Sequence, residues 1–113
     1  MAYYHGGPPG RQRGALLLPP NITGARTTAD YGAGAVCRRD RVYVTTDING
    51  ALMFAAGQHR GVVYQVEPIG ALEPDPDCTQ AGLSFQCERA RVLRIIKPGP
   101  AVLARAREVL LDA

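Results

Sequence analysis

Residues Arg41 to Pro68 read RVYVTTDINGALMFAAGQHRGVVYQVEP, and the hydrophobic period changes twice within them. Val42, Tyr43, Val44 and Thr45 are strand formers. Thr46 or Asp47 can then cap a helix whose apolar positions, Ile48, Leu52 and Ala55 or Ala56, recur at helical spacing until Gly57. Gly61 leads into Val62, Val63, Tyr64, Gln65 and Val66, a second strand. The unit is strand, helix, strand. Its helix is too short to fix a parallel crossover, so the strand order stays open.

On the C-terminal side, IGALEPDPD alternates prolines with acids and stiffens an acidic turn. LSFQCERARVLRIIKP supplies one or two more strands. Beyond Gly99 and Pro100, the positions Val102, Leu103, Ala106, Val109 and Leu110 lie on one face of an amphipathic helix, and Pro100 suits its first turn. On the N-terminal side, Met1 to Tyr4 form a short strand ending at Gly6 and Gly7. From Gly6 to Arg39 glycines, prolines and small polar residues leave little room for regular structure, and a loop of this length is either functional or mobile. Leu16 to Leu18 is where that loop would be pinned to the core.

The chain of 113 residues suits a single domain, 1–113, of α+β class with one core. Its 46% hydrophobic and 20% charged content argue against wholesale disorder. No apolar run long enough to span a membrane occurs, and the glycine- and proline-rich start is unlike a signal peptide, so the expected location is cytoplasmic, with no membrane partner. Cys37, Cys78 and Cys87 are odd in number and lack CxxC spacing, which favours free thiols over a disulfide framework or a zinc site; no metal is expected. The net charge of +3 comes from scattered arginines without interleaved aromatics, a weak sign of nucleic-acid binding.

Three places could carry chemistry. His5 is followed by Gly6 and Gly7, which would let a ligand reach the backbone; the plainer reading is a terminal histidine before a flexible turn. Tyr43 lies within a strand, where an aromatic is a core residue or a stacking platform. Glu73, Asp75 and Asp77 share the proline-stiffened turn, otherwise a solvated acidic loop. His59, in a turn, and Asn21 to Thr23, a glycosylation-type triplet, are set aside.

Taken together, YYHGG, VYVTTDINGALMFAAG and RGVVYQVEPIGALEPDPD resemble the rifamycin-inactivating mono-ADP-ribosyltransferases, within the diphtheria-toxin-like branch in which a His, a Tyr and an acid surround NAD. The likeness is strongest over Arg41 to Asp77. It implies a small fold of two short packed β-sheets with flanking helices, and NAD as co-substrate. His5 then matches the histidine that holds a ribose of NAD, and Gly6 the position whose backbone recognises the nicotinamide amide. Tyr43 matches the tyrosine packed on the nicotinamide ring, and Asp75 the catalytic aspartate, with Glu73 taking that role if the turn is shifted. The acceptor implied is a hydroxyl of a small molecule, a rifamycin-type antibiotic by nearest family. A protein or nucleic-acid acceptor, served by Arg38, Arg39 and Arg41, is the alternative within the same chemistry, and a non-catalytic NAD- or nucleotide-binding module is the alternative outside it. The departures from the family pattern are Leu52, Met53 and Phe54 where a tryptophan is common, EPD for EDD in the acidic turn, and Gln86 where an arginine would bring charge to a pyrophosphate.

Overall fold

Val42–Thr45 form strand β3, with Val42 and Val44 buried on one face and Tyr43 and Thr45 on the other. The helix that follows, α1, spans Ile48–Ala56; the Asp47 carboxylate accepts from the Asn49 amide at 3.0 Å, and Gly57 closes its end. The second strand, β4, covers Val62–Ile69, three residues longer than its apolar run suggested. In this computed structural model, which describes residues 1–19, 41–76 and 82–112, the remaining elements are β1 (Tyr3–Gly7), β2 (Leu16–Leu17), β5 (Glu73–Pro74), β6 (Ser84–Cys87), β7 (Arg89–Ile96) and α2 (Pro100–Asp112).

All the strands join one open sheet of order β2-β7-β4-β1-β3-β6-β5, with every neighbouring pair antiparallel. This corrects the expectation of two packed sheets, and the pairing shows how narrowly one sheet is made. β1 is matched to β4 along all five of its residues but to β3 only where Tyr4 faces Thr45. A four-strand part and a three-strand part therefore meet through a single residue pair.

Because β1 is antiparallel to both β3 and β4, those two strands run parallel with β1 between them, and α1 is the crossover that passes over β1. Gly6 permits that passage. A Cβ there would stand 1.8 Å from the Ala51 carbonyl oxygen and 2.7 Å from the Ala55 nitrogen. Gly6 and Gly7 thus pair within β1, opposite Val63 and Val62, and the strand ends at Gly7 as expected.

The two sheet faces bury different sets. Val42, Val44, Tyr64, Val66, Cys87 and Val92 belong to the larger core, with Leu17 of the leucine run holding the N-terminal segment against it through β2. On the other face Ala51 and Ala55 of α1 meet Val63. Small residues on α1 let it lie close to the sheet, and the removal of such apolar area from water is the main stabilising term. α2 rests on α1 through Leu103 and Ala106, and the Arg107 guanidinium donates to the Ala56 carbonyl at 3.0 Å, a cation at the end of α1. Val102 and Val109 of the expected apolar stripe remain about half exposed, at 47% and 53%. Leu110 falls outside the described side chains. Cys87 is buried, with its thiol pushed up by loss of hydration and so held protonated. Cys37, Cys78 and Asn21 to Thr23 lie outside the described residues. No described helix is long and apolar enough to cross a membrane.

Candidate active site

The junction between β1 and β3 sets the position of His5. With the strands paired only at Tyr4 and Thr45, the Tyr43 carbonyl meets an imidazole, its Nδ1 2.7 Å away. A carbonyl can only accept, so Nδ1 carries the hydrogen and Nε2 is left as a bare acceptor. The ring is half-buried, and its pKa lies below the ordinary 6.5. Loss of hydration is the main cause; the Tyr43 carbonyl opposes it and the Arg11 guanidinium adds to it. His5 is therefore a neutral imidazole at pH 7 with a fixed tautomer.

Gly7 keeps the Nε2 edge of that ring clear. A Cβ at Gly7 would lie 3.2 Å from His5 Nε2 and 3.4 Å from Cδ2. The sequence reading emphasised Gly6, whose side-chain space belongs to α1. The two-residue period of a strand, which puts positions 5 and 7 on one face, is the signal that identifies Gly7.

Two residues continue across the strands from Tyr43. Tyr43 faces Gln86 on β6, and Gln86 faces Glu73 on β5, so the three side chains share one face of the sheet. The Gln86 Nε2 donates to Glu73 Oε1 at 3.4 Å, and Arg41 Nε donates to the same oxygen at 3.2 Å. Gln86 is buried, and among the described residues its Oε1 has no partner. Asp75, immediately after β5, is held twice by Ser84: its amide donates to the Ser84 carbonyl at 3.0 Å, and the Ser84 hydroxyl donates to Asp75 Oδ2 at 2.8 Å. Its carboxylate is thereby oriented. Asp77, Arg38 and Arg39 lie outside the described residues.

His5, Tyr43, Glu73 and Asp75 thus come from β1, β3 and the β5 turn, linked through β6 in the order β1-β3-β6-β5. Tyr43 and Glu73 share one sheet face, whereas His5, paired with Tyr64 of the larger core, lies on the face of Val42 and Val44 and meets Tyr43 through its backbone carbonyl. Among the described residues, no group of three or more His, Cys, Asp or Glu could hold a metal ion.

Residues 3–98 match the family model described as Arr-ms, Rifampin ADP-ribosyl transferase. The chain belongs to that family. Membership implies an enzyme, an ADP-ribosyltransferase with NAD as co-substrate. The match runs from β1 through β7 and stops before α2, so every candidate site residue lies inside it. No curated protein matches the chain.

Proposed function

We propose that this chain, acting as a single domain over residues 1–113, breaks the bond between ribose and nicotinamide in NAD. It then transfers ADP-ribose to a hydroxyl of a rifamycin-type antibiotic. The observation that supports the reading is the bond from His5 Nδ1 to the Tyr43 carbonyl, which leaves Nε2 as the atom that would accept from a ribose hydroxyl. Tyr43 stacks on the nicotinamide ring, and backbone groups of Gly6 bind its carboxamide.

Breaking the C1′–N bond sends the electron pair to nicotinamide, which leaves neutral, and places positive charge on the ribose, as in glycoside cleavage. Asp75, aligned by Ser84, stabilises that charge. The acceptor oxygen then bonds to C1′ and gives up its proton to the Asp75 carboxylate. Glu73, neutralised in part by Arg41, is a support for the site more than its catalyst. The same ion pair engages one of the three arginines that a polyanionic acceptor would use, which favours the small-molecule acceptor.

Mass spectrometry of a rifamycin incubated with protein and NAD tests this reading. The wild type adds one ADP-ribose per antibiotic, and Asp75→Ala adds none. Transfer by Asp75→Ala at the wild-type rate removes the assignment.

A further inference from the structure

The loop after β1 is tied down at both ends. The buried Tyr64, cross-strand partner of His5, donates its hydroxyl to the Pro8 carbonyl at 2.6 Å and accepts the Arg11 amide at 3.3 Å. At the far end the Gly14 amide donates to the Val92 carbonyl at 2.8 Å, and the Val92 amide to the Ala15 carbonyl at 2.9 Å. Arg91 Nη1 adds a bond to the Gly14 carbonyl at 3.2 Å. The main chain of Arg11 is therefore fixed by the same phenol that lies across the strand from His5.

The Arg11 side chain is exposed, and no described acid pairs with it. Its charge is nonetheless close enough to disfavour protonation of the imidazole. The phenol that bonds the Arg11 amide belongs to the cross-strand partner of His5, and among the described residues the Arg11 guanidinium has no acid partner. A ribose with its 5′-phosphate has the matching chemistry, a hydroxyl donor one methylene from an anion. The position where the family pattern carries an arginine is here the neutral Gln86, turned toward Glu73.

We propose that Arg11 binds the pyrophosphate of NAD, supplying from the β1 loop the cation that β6 lacks. The assignment rests on the reading of His5 as the ribose ligand. Arginine suits the task because its planar fork can bond two phosphate oxygens at once. Arg13, on the same loop with the same charge but without a bond from Tyr64, is the internal control.

Calorimetric titration with ADP-ribose separates the two. Arg11→Ala weakens binding by about tenfold or more and flattens its dependence on salt. Arg11→Lys recovers part of the loss, and Arg13→Ala binds as the wild type does. In steady state Arg11→Ala raises KM for NAD while kcat stays within about twofold, the pattern of lost ground-state binding. Among the described residues only the Arg11 amide bonds to the protein, so the thermal midpoint of Arg11→Ala stays unchanged. Equal affinity in Arg11→Ala and wild type, an equal loss in Arg13→Ala, or no ADP-ribose binding by the wild type would overturn the assignment. Failure of the enzymatic reading is a separate result: no nicotinamide release by the wild type at saturating NAD.

Discussion

At the scale of single residues, the proposed site depends on the protonation state of one imidazole. Neutral His5 offers Nε2 as an acceptor; protonated, the same atom becomes a donor and the ring a cation that the Arg11 charge disfavours. Since its folded pKa lies below 6.5, kcat/KM for NAD is predicted to hold at neutral pH and to fall only as the pH drops through that lowered value. Stability follows the same sign. Below pH 6.5 the unfolded chain takes up a proton before the folded one does, so the contribution of His5 to stability declines with falling pH. An NMR titration of the imidazole checks both, and Arg11→Ala should move the midpoint upward. A midpoint at or above 6.5 in the wild type would contradict this account.

The adjacent glycines separate folding from function at the scale of elements. Gly6→Ala drives a methyl into the Ala51 carbonyl and the backbone of α1. The predicted loss is about 3 kcal/mol or more, measured by denaturant unfolding. Gly7→Ala meets only the edge of a side chain, the His5 ring. It should leave the unfolding midpoint close to wild type and raise KM for NAD by crowding Nε2. The strand-helix-strand unit was legible from the period change between Thr45 and Ile48 and again after Gly61, because those signals are local. The insertion of β1 between β3 and β4 was not. Strand order is set by contacts between residues distant in sequence, and the glycine that admits α1 reads on its own as a turn residue. The two-residue β5 was hidden for a related reason: Pro74 obscures a segment that pairs only through Gln86 and Phe85.

For the molecule as a whole, one sheet joined at a single pair gives the candidate site its shape. The four strands from β2 to β1 and the three from β3 to β5 meet at Tyr4 and Thr45, and His5 bridges the same junction with its side chain. His5, Tyr43 and Asp75 became candidates through the family resemblance, since alone they read equally as a turn, a core and a loop residue. Their supports were not legible: Ser84 for Asp75, Tyr64 for the β1 loop and Gly7 for the imidazole act only across strands. The central claim is that these parts form one NAD-cleaving site that uses an antibiotic acceptor. Nicotinamide release from NAD by wild type, His5→Ala and Asp75→Asn, with and without a rifamycin, tests it most directly. The predicted result is release by the wild type that requires the antibiotic, is lost in Asp75→Asn and needs far more NAD in His5→Ala. Antibiotic-dependent release that persists undiminished in both variants would contradict it.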